Sequence, residues 1–143
     1  MRIRLASVFT VVDARGAEMD RSETVTMFND LCVLAPAALI DRRIIWDAQD
    51  ELHARATFSN AGQSISAVLS FNERGELVDF SSDDRAMTSD GKSYEHYRWS
   101  TPLSDYRQFD GHRLASHGMA IWRIPGADFC YAKLELVALE YNP

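Results

Sequence analysis

The chain has few of the residues that build cross-linked or metal-bound folds. It contains only two cysteines, Cys32 and Cys130, and neither belongs to a CxxC motif or to a Cys/His pair at metal-ligand spacing. Both cysteines lie among apolar residues, so the sequence predicts two buried free thiols rather than a disulfide or a metal site. This cysteine usage fits a reducing compartment and slightly favours the cytoplasm.

Long apolar runs and clusters of positive charge are also missing. No stretch approaches the roughly 20 apolar residues that a membrane-spanning helix needs, so we expect no membrane span. The formal net charge is −6, and the lysines and arginines are scattered along the chain. Proteins that bind nucleic acid present a basic patch to the phosphate backbone. We therefore expect no nucleic-acid partner.

The chain does contain enough apolar material for one folded unit. Its 143 residues are 46% hydrophobic, and no linker, internal repeat or low-complexity segment divides them, which predicts a single domain over residues 1–143. The first twelve residues have the basic-then-apolar order of a signal peptide. Their apolar part is short and lacks a small-x-small cleavage site. We interpret residues 3–12 as a first β-strand.

One segment near the N-terminus has helical periodicity. Asp20 and Glu23 have the spacing of a capping box, which predicts a helix that begins near Arg21. Pro36 lacks an amide hydrogen and ends this helix, and residues 37–40 are predicted to form a second short turn. The predicted buried stripe consists of Thr24, Phe28, Leu31, Cys32 and Ala35, with Asn29 and Asp30 on the opposite side.

In the remaining sequence, apolar and polar residues alternate with a period of two, which is typical of β-strands. Residues 52–58, 65–71 and 76–81, joined by short turns, predict a three-strand antiparallel meander. Residues 82–92 are rich in Ser and Asp and predict a surface loop. Further strands are predicted at 94–100, 105–108, 112–115, 118–124 and 130–141. The predicted fold is α+β: a single curved antiparallel sheet of about seven strands, half-barrel-like, packed on one main helix.

Three strings carry a resemblance to a known family: FNDLCVLAPAALID at residues 28–41, FNERGELVDFSSDDR at 71–85 and FCYAKLELVALEYN at 129–142. They resemble a bacterial family of uncharacterised conserved proteins, a domain of unknown function. Members of that family have further strands before the position of Met1, so the chain resembles their C-terminal half. The resemblance supports the fold and implies no reaction, cofactor or catalytic residue. The predicted arrangement is also similar in kind to the half barrels of lipoprotein-localisation factors, which carry acyl chains, although a fold does not fix a function.

Polar residues offer little recognisable chemistry. The four histidines, His53, His96, His112 and His117, are interpreted as ordinary surface residues, because the odd separation of the last two places them on opposite faces of a strand. No metal site and no cofactor are predicted. No nucleophile elbow, Gly-rich phosphate loop or neighbouring Cys and His is found, so no catalytic residue is assigned.

Three acidic residues come shortly before Arg85 in the sequence. Asp79, Asp83 and Asp84 precede it, and such a set allows acid–base chemistry or an arginine clamp for a ligand carboxylate. We interpret Arg85 as pairing with one of these aspartates to hold its own loop. An enzyme that uses Arg85, Asp79 or Asp84 with Tyr106 is the least favoured function.

The aromatic residues are better candidates for a ligand-binding site than the polar residues. Such side chains can line a concave apolar pocket and orient a ligand with their hydroxyl and indole groups, or they can fill the space between sheet and helix. Core packing is expected for most of them. The candidate ligand-binding residues are Trp46, Arg85, Trp99, Tyr106, Trp122 and Tyr131.

The sequence leaves two possible functions. The first is a non-catalytic binding module that accepts an apolar or lipid-like small molecule between the sheet and the helix. The second is a structural or interaction domain that pairs through the exposed edge of the strand at residues 3–12, either with a second copy or within a larger sheet.

Overall fold

An open antiparallel sheet covered by one long helix forms the body of the protein. The computed structural model describes residues 2–5, 9–13 and 16–141, the first two ranges as backbone only. The helices are α1 (Ala17–Leu34) and a 3₁₀ helix (Pro36–Ile40). The strands are β1 (Arg2–Leu5), β2 (Phe9–Asp13), β3 (Ile44–Ala48), β4 (His53–Asn60), β5 (Gln63–Phe71), β6 (Leu77–Ser82), β7 (Ala86–Met87), β8 (Glu95–His96), β9 (Arg98–Phe109), β10 (His112–Ile124) and β11 (Ala127–Glu135).

The main sheet has seven strands in the order β11-β10-β9-β6-β5-β4-β3. Every neighbouring pair is antiparallel. This arrangement confirms the predicted α+β class and the antiparallel meander on one main helix. Strands β3 and β11 stand at opposite ends of the order, so the sheet has two edges and is not a closed barrel.

The alternation in the first meander positions its core residues as the sequence predicts. In β4 and β5 the side chains of Ala56, Phe58, Ile65, Ala67 and Leu69 are buried, while their neighbours are partly or fully exposed. The turn between the two strands has positive φ at Ala61 (49°) and Gly62 (83°). Two successive positive φ values match the right-handed twist of a two-residue hairpin. Local sequence therefore determines this part of the sheet.

In the second half of the sheet, β9 and β10 are longer than predicted, whereas the strand predicted at 130–141 is β11, which begins at Ala127 and ends at Glu135. Residues 94–124 were expected to form four short strands, whereas β9 and β10 form one long hairpin. The pairing between β9 and β10 skips Pro102, which has no amide hydrogen to donate, and also Asp105, whose φ is 54°. The register is the same on both sides of each gap, so no residue is inserted and the two strands stay aligned. The sequence signals for strand ends therefore lie within continuous strands.

The N-terminal prediction of one strand over residues 3–12 is wrong. The chain forms β1 and β2 there, and these two pair with each other in a separate antiparallel sheet. Periodicity contains no sign of this reversal, because Ile3, Leu5, Phe9 and Val11 keep one odd-numbered phase across it. The predicted first-strand edge is consequently not an edge of the main sheet, whose edges are β3 and β11.

Helix α1 begins earlier than the capping pattern indicates. It begins at Ala17 with Gly16 (φ 107°) as its N-cap and no side-chain cap, so the Asp20–Glu23 interpretation is wrong. Asn29, expected on the outer side, is 5% exposed. The helix ends at Leu34, and Pro36 begins the 3₁₀ helix, as predicted.

The core lies where α1 packs on the sheet. Phe28 is fully buried between Phe58, whose ring is stacked at 5.0 Å, and Phe80, whose ring is edge-on at 5.7 Å. Phe80 in turn contacts Trp99 edge-on at 6.1 Å. Offset and edge-to-face pairs at these separations are favourable aromatic geometries. This chain of rings joins the helix to the middle of the sheet.

Candidate ligand-binding site

Strand pairing assembles a row of aromatic side chains at one end of the sheet. Trp99 on β9 is the register partner of Trp122 on β10, and Trp122 is the partner of Phe129 on β11. Directly opposite residues share one face of a sheet. Tyr131 is the extra residue of a β-bulge in β11, because Ile121 pairs with Cys130 and Ala120 pairs with Ala132. Its contact with Trp122 places its ring on the same face as the row. The rings of Trp122 and Tyr131 are stacked with centroids 6.4 Å apart.

Arg85 reaches this row from the segment between β6 and β7. Both of its neighbours are fixed: Asp84 pairs with Arg21 of α1 and accepts a hydrogen bond from the Ser66 amide (2.6 Å), while the Ala86 amide donates to Ser22 Oγ (2.9 Å). The region predicted as a surface loop, residues 82–92, thus contains the short strand β7 and a buried residue, Ala86. These contacts direct the side chain of Arg85 over the sheet.

The guanidinium of Arg85 lies over two indole rings. Its central carbon is 4.7 Å from the ring centroid of Trp99 and 5.2 Å from that of Trp122. Both distances are within the range of cation–π attraction. The Nε group donates to Thr26 Oγ1 (3.2 Å), and Nη1 donates to the hydroxyl of Tyr131 (3.2 Å). Trp99 Nε1 donates to the same hydroxyl at 3.0 Å.

The predicted pairing of Arg85 with a nearby aspartate is wrong. Asp83 binds Arg98 with two hydrogen bonds of 3.0 and 2.9 Å, and Asp84 pairs with Arg21. No described carboxylate lies within ion-pair distance of Arg85. Tertiary contacts with α1 draw Asp84 away, and a purely local pattern cannot show such contacts.

An open cavity of about 330 Å³ borders this group. Arg85, Trp122 and Tyr131 line it, and Trp99 lies beneath the guanidinium at 3% exposure. The further lining side chains come from α1, from the segment around β7 and from β11: Met19, Ser22, Glu23, Met87, Thr88, Ser89 and Phe129. Hence Arg85, Trp99, Trp122 and Tyr131, all predicted candidates, converge on one cavity.

The model of a family of unknown function, DUF6544, matches residues 1–134 of the chain. The chain belongs to DUF6544. No curated protein and no solved structure matches it. The match with DUF6544 establishes membership of a family without a described activity, as the resemblance indicated, and it does not support the narrower prediction of a C-terminal half.

Trp46, another of the candidate residues of this DUF6544 chain, lies elsewhere. It is on the edge strand β3, 40% exposed, and its Nε1 donates to the carbonyl of Leu39 at 3.2 Å. Its ring is 6.4 Å from that of Phe28. This indole covers one side of the core rather than the cavity at Arg85.

Tyr106 lines a different depression, of about 370 Å³. Its hydroxyl donates to the Leu77 carbonyl at 2.9 Å, and burial is the main cause that raises the pKa of its phenol. The Arg113 guanidinium lies 5.8 Å from its ring centroid and is paired with Glu76. The least favoured hypothesis was an enzyme that uses Arg85, Asp79 or Asp84 with Tyr106. These residues make their contacts in separate places and do not form one group.

The histidines and cysteines of the DUF6544 chain occupy unrelated positions. Within residues 16–141 and the backbone described before them, no group of three or more His, Cys, Asp or Glu side chains is placed to hold a metal ion. Cys32 is buried, and desolvation raises the pKa of its thiol to about 12. Cys130 is exposed on β11, so its predicted burial is wrong. An edge strand with one uncovered face explains the difference.

Several lining residues were not identified from the sequence. Met19 and Ser22 belong to α1, and Met87 follows Arg85 at β7. Thr26, also on α1, accepts a hydrogen bond from Arg85. A local signal was available for Phe129, which stands two residues before Tyr131 in the aromatic-rich last third of the sequence. None of the described helices is both long and apolar enough to cross a membrane.

Proposed function

We propose that this protein is a non-catalytic binding module for an apolar or lipid-like small molecule, which occupies the cavity beside Arg85. The observation that carries this proposal is the convergence of Arg85, Trp99, Trp122 and Tyr131 at that cavity. Ligand pockets are concave and predominantly apolar, with a few placed polar groups. The aromatic row provides the apolar wall, and Arg85 and Tyr131 provide the polar groups.

The walls of the cavity suit an apolar partner. Phe129 remains 46% exposed and Tyr131 43% exposed, although both belong to the aromatic row that continues the core. Met19 and Met87 also line the cavity. Methionine is a flexible, polarisable side chain that adapts to irregular apolar shapes. A ligand between these walls removes apolar surface from water on both sides, which favours binding by roughly 25 cal/mol per Å².

A pair of variants on one strand tests the location of binding. Phe129→Ala removes a ring from the cavity, and Leu134→Ala removes a similarly exposed apolar side chain of β11 that does not line it. We expect a fluorescent fatty-acid probe to bind the wild-type protein. Its affinity should fall about tenfold in Phe129→Ala and stay unchanged in Leu134→Ala. Absence of probe binding, together with no co-purified small molecule in native mass spectrometry, contradicts the proposal.

The second candidate is an interaction domain, and the edge strand β11 is the observation that favours it. All residues of β11 except Ala132 are exposed, including Phe129, Tyr131 and Leu134. The sequence placed the pairing edge at residues 3–12, and this alternative now requires β11 instead. An edge with unpaired amides is a template for a further strand, from a second copy or within a larger sheet. Light scattering that reports a monomer at all concentrations contradicts association between copies.

A further inference from the structure

We propose that the ligand of this cavity is an amphipathic carboxylate, whose head group binds Arg85 and Tyr131 while its apolar part lies on Trp122 and Phe129. This inference rests on the proposed function and adds the charge and the polarity of the ligand. It depends on the hydrogen-bond donors of Arg85 and Tyr131 that have no acceptor among the described residues.

Arg85 has hydrogen-bond donors that no described residue accepts. A guanidinium has five N–H groups, and Arg85 donates one to Thr26 and one to Tyr131. The three that remain have no acceptor among the described residues. They belong to Nη1 and Nη2, the fork that binds the two oxygens of a carboxylate with parallel hydrogen bonds. Asp30 is near enough to interact with Arg85 through its charge, but it accepts no hydrogen bond from it, so the half-buried fork has no hydrogen-bonded anion among the described residues.

The other described arginines that lie over an aromatic ring, Arg43 and Arg113, are each paired with a carboxylate. Arg113 lies over the ring of Tyr106. Its Nε and Nη2 groups donate to Glu76 Oε1 at 3.0 and 2.6 Å. Arg85 shares this stacked geometry, but it is not hydrogen-bonded to a carboxylate of the described chain.

The hydroxyl of Tyr131 also has a free donor. Arginine and tryptophan side chains are donors only, so the Tyr131 oxygen accepts from both Arg85 Nη1 and Trp99 Nε1. These two hydrogen bonds occupy both acceptor positions of the hydroxyl. Its own O–H is therefore the donor left over, and no described residue accepts it. This O–H and the free N–H groups of Arg85 together form a donor cluster at the cavity wall.

The charge at the rim of the cavity and the size of the cavity limit the choice of anion. Glu23 lines the same cavity and is exposed at its rim. Its negative charge disfavours a dianion more than a monoanion, which favours a carboxylate over a phosphate monoester. The cavity volume of about 330 Å³ lies at the small end for ligand sites. A single alkyl chain or an aromatic acid fits this size, whereas a two-chain lipid exceeds it.

A comparison of two probes on the wild-type protein tests the charge. We choose decanoate and decan-1-ol, which share the alkyl chain and differ in the head group. Calorimetric titration at neutral pH should give at least tenfold tighter binding of decanoate, because hydrogen bonds to a charged group are the stronger class. Equal affinities would overturn the carboxylate proposal while leaving the apolar binding function intact. If neither probe binds, both proposals fail.

Three variants locate the head group. Arg85→Met keeps the length of the side chain and removes its charge, Tyr131→Phe removes only the hydroxyl, and Arg107→Met removes an exposed arginine outside the cavity. Decanoate affinity should fall about tenfold or more in Arg85→Met and severalfold in Tyr131→Phe, with no change in Arg107→Met. Affinity for decan-1-ol should change little in all three.

Tyr131→Phe keeps this test informative if Arg85→Met does not fold, because it leaves the stacked guanidinium in place. Circular dichroism establishes folding for each variant. Unchanged preference for decanoate over decan-1-ol in the folded Tyr131→Phe and Arg85→Met proteins would overturn the assignment of the head-group site.

Discussion

Phe28 of α1 stacks on Phe58 of β4, with ring centroids 5.0 Å apart and ring planes 17° from parallel. Both side chains are completely buried, and Phe28 also contacts Phe80. The pair forms the contact through which the helix covers the meander. Because the two rings come from a helix and a strand with different periodicities, their meeting depends on how α1 lies across the sheet.

Replacing Phe28 should cause a large loss of stability. We expect Phe28→Ala to lower the free energy of unfolding by about 3–5 kcal/mol, because it removes buried surface and leaves a cavity among packed rings. Phe129→Ala removes the same ring from a site that is 46% exposed and should cost less than about 1 kcal/mol. Urea denaturation followed by circular dichroism measures both. Similar losses in the two variants would contradict the assigned core.

The aspartates before Arg85 should differ in their effect on stability. Asp84→Ala leaves the partly buried amide of Ser66 without its acceptor and should cost about 1–3 kcal/mol. Asp83→Ala breaks an ion pair with Arg98 in which both side chains are more than half exposed, and should cost no more than about 1 kcal/mol. Thermal denaturation of the two variants checks this order. The reverse order would show that Asp84 does not hold the segment.

The two cysteines should react at very different rates. Thiolates are the reactive form, and burial holds the Cys32 thiol protonated with its pKa raised to about 12. Cys130 is exposed. We expect an aromatic disulfide reagent to modify one thiol rapidly in the native protein and the second only after unfolding. Cys130→Ser is the control and should abolish the rapid reaction; a rapid reaction that persists would place Cys32 within reach of solvent.

Asp79 should make stability depend on pH. Burial raises the pKa of its carboxyl above the ordinary value of 3.8, and its Oδ1 has no partner in the described chain. A raised pKa means that the folded state holds the proton more tightly. The stability that this proton contributes is therefore complete below pH 3.8 and is lost as the pH rises through the folded-state pKa.

Asp79→Asn tests this dependence because it removes the buried charge at nearly constant size. We expect the variant to be more stable than the wild type at pH 7, with the difference disappearing below pH 3.8. Urea titrations at both pH values measure the two free energies. A variant that is less stable than the wild type at pH 7 would contradict the direction of the shift.

The features of the fold that were predictable are those determined by neighbouring residues. Alternation at residues 52–58 and 65–71 identified β4 and β5, and Asn60-Ala61-Gly62 identified their turn. The same local reasoning failed for β9 and β10. There Pro102 indicated a strand end, although β9 continues through it and pairs with β10 in the same register on both sides. The pairing energy of long neighbouring strands outweighs a single missing donor.

The sequence predicted the residues of the candidate site better than it predicted the contacts among them. Aromatic content and the position of Arg85 identified four of its members, Arg85, Trp99, Trp122 and Tyr131. The expected Arg85–aspartate pair did not form, because Arg21 of α1 and the Ser66 amide bind Asp84. Residues from α1, such as Thr26, entered the site only through the packing of the helix.

The sequence by itself determined the alternating strands of the first meander, the turn at Gly62 and the end of α1 before Pro36. Each of these depends on the backbone preferences and polarity of adjacent residues. The tertiary structure decided which residues meet: the register that sets Trp99 beside Trp122, and the contacts that turn Arg85 from its aspartates toward Tyr131. Those meetings join residues far apart in the chain, and their energies exist only once the strands have paired and the helix has packed on them.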